Sequence, residues 1–83
     1  MSVYRLVNIT DKDNNPKHEH AWDTVRKIHV IELDRPMQMF YVEGEKEGMV
    51  RTTTKVKEIA SDQTGWMQVK TRNSVYNLQK IKE

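Results

Sequence analysis

Residues 65 to 79, Gly-Trp-Met-Gln-Val-Lys-Thr-Arg-Asn-Ser-Val-Tyr-Asn-Leu-Gln, constrain the fold of this chain more than any other stretch, because they spell a β-hairpin down to its register. With Arg72-Asn73 as a two-residue turn, Thr71 faces Ser74, Val69 faces Tyr76 and Met67 faces Leu78. The apolar cross-strand pairs then share one side. The other side pairs Lys70 with Val75, Gln68 with Asn77 and Trp66 with Gln79, so one face suits a core and the other suits water. Asn73 is a usual choice where a tight turn needs positive φ.

The rest of the chain is punctuated in the same way. Val3 to Ile9 alternates as a first strand, with Val3, Val7 and Ile9 on one side and Tyr4 and Leu6 on the other. Thr10 to His20 gathers Asp11, Asp13, Asn14, Asn15 and Pro16, short polar side chains and a fixed φ that favour a long loop. Ala21 to Lys27 reads as an irregular approach to a strand over Lys27 to Leu33, which Asp34-Arg35-Pro36 ends. Met37 to Val42 is the next strand, and Glu43 to Gly48 is a charged loop leading into Met49 to Thr52. Thr52-Thr53-Thr54 favours extended backbone or a polar corner, Val56 to Ala60 is a short strand or single turn, and Ser61 to Gly65 is a turn. The tail from Lys80 is expected to fray. Five to six short antiparallel strands with no convincing helix predict an all-β, single-domain, partly open barrel of the SH3-like kind spanning residues 1 to 83, with a C-terminal hairpin.

Bulk composition limits what such a barrel does. Eighty-three residues, 36% hydrophobic and 31% charged, make one small core, so self-association is an expected source of additional stability. The chain has no cysteine, which removes disulfides, thiolate metal sites and cysteine nucleophiles and fits a cytoplasmic setting. No apolar run approaches the roughly 20 residues of a membrane span. Net charge is +2, but residues 1 to 45 carry six Lys/Arg against eight Asp/Glu, whereas residues 46 to 83 carry eight against four. Such a tilt draws a phosphate-bearing ligand to one side and falls short of the basic stripe of a duplex-DNA binder.

Catalytic signatures are missing: there is no phosphate-cradling Gly-rich motif, no nucleophile elbow and no His-Glu-x-x-His. A His-x-His pair, His18 and His20, has the alternation of a metal site, yet only Glu19, Asp23 or the distant His29 offers a third ligand. A solvated loop without metal, and a chain without a cofactor or enzymatic activity, are therefore expected. Binding is better served. Arg51 opens Arg51-Thr52-Thr53-Thr54, and Arg72 sits in Thr71-Arg72-Asn73-Ser74, so each guanidinium has hydroxyl or amide donors beside it, a grouping suited to phosphate or ribose oxygens. Trp66 falls on the wetter hairpin face, where an indole can stack on a base. Trp22 is expected to plug one end of the core, Tyr4, Tyr41 and Tyr76 to be barrel core with a wet hydroxyl, and Met37, Met39 and Met49 to give an adaptable core or interface.

Tyr4-Arg5-Leu6-Val7-Asn8-Ile9-Thr10-Asp11, Arg35-Pro36-Met37 into Phe40-Tyr41, Val50-Arg51-Thr52-Thr53 followed by Val56, and Val69-x-Thr71-x-Asn73-Ser74-x-Tyr76-x-Leu78 resemble small β-barrel proteins encoded by phages and mobile elements of Gram-positive bacteria. The likeness spans most of the chain, and Thr53 stands where many of those relatives have Ser. The resemblance implies a setting, the host cytoplasm, in which short phage proteins act by stoichiometric binding against host defence. The leading expectation is a homo-oligomer that sequesters a nucleotide-type signal in pockets between subunits, with Arg51 and Arg72 on phosphates, Thr52, Thr53, Thr54, Asn73 and Ser74 as polar contacts and Trp66 stacking a base. The alternatives are an inhibitor that binds a host protein through a strand edge and, ranked third, a single-stranded nucleic-acid binder.

Overall fold

The computed structural model describes residues 2 to 82. Six strands, β1 (Ser2–Thr10), β2 (Thr24–Ile28), β3 (Pro36–Tyr41), β4 (Val50–Ser61), β5 (Trp66–Thr71) and β6 (Val75–Lys82), form one antiparallel barrel, with a single 3-10 turn at Glu19–Ala21. Each strand pairs with the next, and β6 returns to β1, so the barrel is closed rather than partly open. Because the meander alternates direction, the loops 11–23 and 42–49 and the 72–74 turn gather at one end, while the 29–35 loop and the 62–65 turn gather at the other.

The hairpin has the register its sequence dictates: Trp66 pairs with Gln79, Met67 with Leu78, Gln68 with Asn77, Val69 with Tyr76 and Lys70 with Val75. Its turn differs. Positive φ among the described non-glycine residues occurs only at Asn14, His18, Asp23 and Asp34, so Asn73 turns the chain without left-handed backbone. The turn is tied down from outside instead. Lys17 Nζ donates to the Asn73 carbonyl at 3.2 Å and to Ser74 Oγ at 2.7 Å.

Tyr4, Leu6 and Ile9 all lie in the core although strict alternation puts Ile9 on the opposite side. A register shift against β6 between Leu6 and Asn8 supplies the extra residue that turns Ile9 inward. Ile28, Met37, Met39, Val56, Val69, Tyr76 and Leu78 complete the lining with Ala21. Trp22 packs against this core and its indole N–H donates to the Lys17 carbonyl at 2.8 Å, so it plugs the end as expected. Tyr41 does not join the core: it is half-buried at the barrel mouth. Met49 is 58% exposed.

Four strand boundaries also depart from expectation. β2 begins at Thr24, because Asp23 takes φ 57° and donates its N–H to the Leu6 carbonyl, steering the chain onto β1. Ile31 and Leu33 then lie in a loop despite their β propensity, since β3 begins only at Pro36 and leaves them no ladder partner. β4 is one continuous strand of 12 residues through the threonine run, with a shift between Val56 and Glu58. The tail does not fray at Lys80: β6 runs on to Lys82, which pairs with Val3.

Gly65 is the position where only glycine fits the far turn. Its φ is +92°, and an added Cβ would stand 3.1 Å from the Lys80 Cβ and 3.2 Å from Gln79 Nε2. Gly65→Ala is expected to cost about 1–3 kcal/mol, read as a lowered urea midpoint with an unchanged slope.

Candidate functional site

The end of the barrel that collects the 11–23 and 42–49 loops also collects basic side chains. Arg51, second residue of β4, places Nη2 at 3.4 Å from His20 Nε2, a contact in which the guanidinium donates and the imidazole nitrogen must be unprotonated. Tyr41, last residue of β3, lies beside them, with Lys46 Nζ 5.7 Å from its ring centroid. Together His20, Tyr41, Lys46, Met49, Val50 and Arg51 line a recess of about 310 Å³. Three of these six side chains are basic and none is acidic. Among the described residues Arg51 forms no salt bridge with a carboxylate.

The electrostatic reach of Arg51 shows what surrounds it. Burial, then the nearby charges of Arg51, Lys17 and His20, push the His18 imidazole below its ordinary value. The Tyr76 hydroxyl is pushed up by burial, against the opposing effects of the Ser74 side chain and Arg51. Arg51, His18, His20 and Lys17 therefore act on one another as a cluster of basic side chains, and Arg51 also acts on Tyr76. Acidic residues are present at this end as well: Asp11 accepts from its own loop at Asp13 and Asn15, Asp23 pairs with Arg5 at 2.9 Å, and Asp13, Glu19 and Glu47 lie in the same loops outside the lining of the recess. A neighbouring recess of about 300 Å³, lined in part by Asp23, Glu43 and Glu45, is the acidic counterpart and shares His20, Tyr41 and Lys46.

His18 makes the cluster sensitive to acid in a definite direction. Its folded value is lowered, so the unfolded chain binds the proton more readily, and stability is fully present above about pH 6.5 and falls as pH drops through that value. A bound anion acts oppositely, since it favours the imidazolium. Thermal melts are expected to weaken between pH 7.5 and 5.5 without ligand, while affinity for a phosphodiester of constant charge rises over the same interval. Parallel changes in both would contradict this assignment.

Of the residues chosen from sequence, Arg51 lies in the basic recess, while Arg72, Asn73 and Ser74 share its end of the barrel. Arg72 and Asn73 are exposed, and Ser74 is buried and bonded to Lys17. Thr53 points inward, where its Oγ1 accepts from the Met37 N–H at 3.0 Å and donates to the Thr54 carbonyl, and Thr52 and Thr54 are exposed on β4. Trp66 is at the opposite end. The six residues of β5 separate it from the 72–74 turn by on the order of 17 Å, so one small ligand cannot touch both. It lines its own shallow cleft with Tyr4, Asp62 and Lys80. His20, Tyr41 and Lys46 were not chosen from sequence, although the His-x-His spacing had marked His20.

Among the described residues no group of three His, Cys, Asp or Glu is placed to hold a metal ion. His18 and His20 meet edge to face with ring centroids 6.1 Å apart. Of the suggested third ligands, Asp23 is engaged with Arg5, and His29 meets Phe40 edge to face. No described helix is long and apolar enough to cross a membrane. No family model, curated protein or solved structure matches the chain.

Proposed function

We propose that this chain is a non-catalytic, phage-type accessory protein that binds and sequesters a phosphate-bearing, nucleotide-derived signal in the host cytoplasm. The observation that carries the reading is the recess walled by Arg51, His20 and Lys46 with no carboxylate among its lining residues. Its basic groups suit phosphate oxygens, while Tyr41, Met49 and Val50 offer an apolar wall for a base or ribose face. Met49 and Val50 remain 58% and 45% exposed at its rim, and a second subunit laid over them would bury both and deepen the pocket, which supports a homo-oligomer.

The strand-edge inhibitor is the weaker reading, because closure pairs each named strand on both sides. Single-stranded nucleic acid has one observation in its favour. The outer face of β5, β6 and β1 carries Trp66 and a ladder of carboxamides, Gln68 to Asn77 at 3.0 Å and Asn77 to Asn8 at 2.6 Å. Its cations are already engaged, Lys70 with Glu58 and Arg5 with Asp23, which leaves little for a phosphate backbone. Protein incubated with extracts of signalling cells, washed and heat-denatured, is expected to release a phosphate-bearing nucleotide detectable by mass spectrometry. Release of none, together with oligonucleotide affinity that falls steeply with salt, would replace the nucleotide reading with the nucleic-acid one.

A further inference from the structure

Directly behind the recess the barrel buries a charge that its own residues do not balance. Arg26 of β2 points inward and is 0% exposed. Its Nε donates to Thr24 Oγ1 at 3.0 Å, its Nη1 to the Met39 carbonyl at 3.2 Å, and its guanidinium carbon lies 3.5 Å from the centroid of the Tyr41 ring. Among the described residues Nη2 is buried with no acceptor. None of these partners is a carboxylate, and Arg51 adds a like charge to the burial that already lowers the Arg26 pKa, with Tyr41 opposing. A guanidinium held in this way is costly, and an apolar side chain of similar volume would line a barrel at less expense. The ring stacked on it, Tyr41, is the same ring that lines the basic recess.

We propose that Arg26 is the inner charge of the anion site, that Tyr41 is the partition between it and the recess, and that the ligand is a diphosphate-bridged nucleotide whose anionic oxygens supply the missing counter-charge. This rests on the nucleotide reading and narrows it. Arg51 and Lys46 meet one phosphate at the mouth, and a second reaches Nη2 when the Tyr41 ring turns aside, which a neutral nucleoside has no group to do. Arg26 binds and does no chemistry.

Equilibrium binding of inorganic pyrophosphate and of ADP, at fixed ionic strength, tests this on the wild-type chain and on Arg26→Met, with the Arg26 Nε–Hε NMR resonance followed in the wild type. The expected result is at least a tenfold loss of pyrophosphate affinity in Arg26→Met and a ligand-dependent shift of the Arg26 resonance. Equal affinity in the two proteins, or an Arg26 resonance that pyrophosphate at saturation leaves unmoved, overturns the inference while leaving the recess as a binding site. A wild-type chain that binds neither compound overturns the underlying reading itself. If Arg26→Met does not fold, the wild-type resonance decides alone.

Discussion

Arg51→Glu is expected to leave a folded barrel that no longer retains a phosphate-bearing nucleotide. Arg51 is half-buried and stands within 3.4 Å of His20 in a recess that also holds Lys46. Replacing it reverses one charge at the point where the ligand's charge is proposed to sit. A unit charge at about 4 Å and an effective dielectric of about 20 interacts by roughly 4 kcal/mol, an upper figure that solvent reduces at a half-buried site. A loss of at least about 100-fold in affinity, roughly 2.7 kcal/mol, remains. The fold is expected to tolerate the change because no described salt bridge depends on Arg51. Isothermal titration with ADP and a urea melt of the same preparation separate the two effects. Affinity within threefold of wild type would remove Arg51 from the site. Arg72→Ala is the matched control: Arg72 is exposed at the same end but does not line the recess, so a change of threefold or less is expected.

Leu78→Ala carries the largest expected cost in stability. Leu78 is fully buried on β6, opposite Met67 of β5 and Leu6 of β1, at the strand pairing that closes the barrel. Truncation removes its apolar contacts and leaves a cavity between strands that cannot collapse without breaking ladders, about 2–5 kcal/mol. A chain of this size has only about 4–12 kcal/mol in total, so the urea midpoint is expected to fall by about a sixth or more. A loss under about 1 kcal/mol would mean that the β1–β6 seam is not part of the cooperative core.

The contrast between the hairpin and the mouth explains what was legible in the sequence. The β5–β6 register follows from local alternation over two adjacent runs, and it holds pair by pair. The conformation of its turn was not legible, because Lys17, far away in sequence, fixes Asn73 and Ser74 from the long loop. The inward turn of Ile9 likewise depends on a bulge against a strand at the other end of the chain. Arg51, which lines the basic recess, was legible as a candidate from its neighbours. Trp66 was grouped with it because sequence proximity to Arg72 hides the length of a strand, which carries the indole to the opposite end. Arg26 went unread because Ala21 to Lys27 read as an irregular approach with no inner or outer face, whereas the observed β2 starts at Thr24 and period two sets Arg26 on the side of Ile28, which is buried. Tyr41 was grouped with Tyr4 and Tyr76 as barrel core with a wet hydroxyl, whereas its ring covers Arg26 and lines the recess.

Native mass spectrometry of the purified chain, alone and with a panel of cyclic and ADP-ribose-type nucleotides, tests the nucleotide-sequestering reading most directly. The expected result is a discrete oligomer that gains the mass of a phosphate-bearing nucleotide, a gain lost in Arg51→Glu. A monomer that stays unliganded across the panel, or a mass gain that Arg51→Glu retains in full, would contradict it.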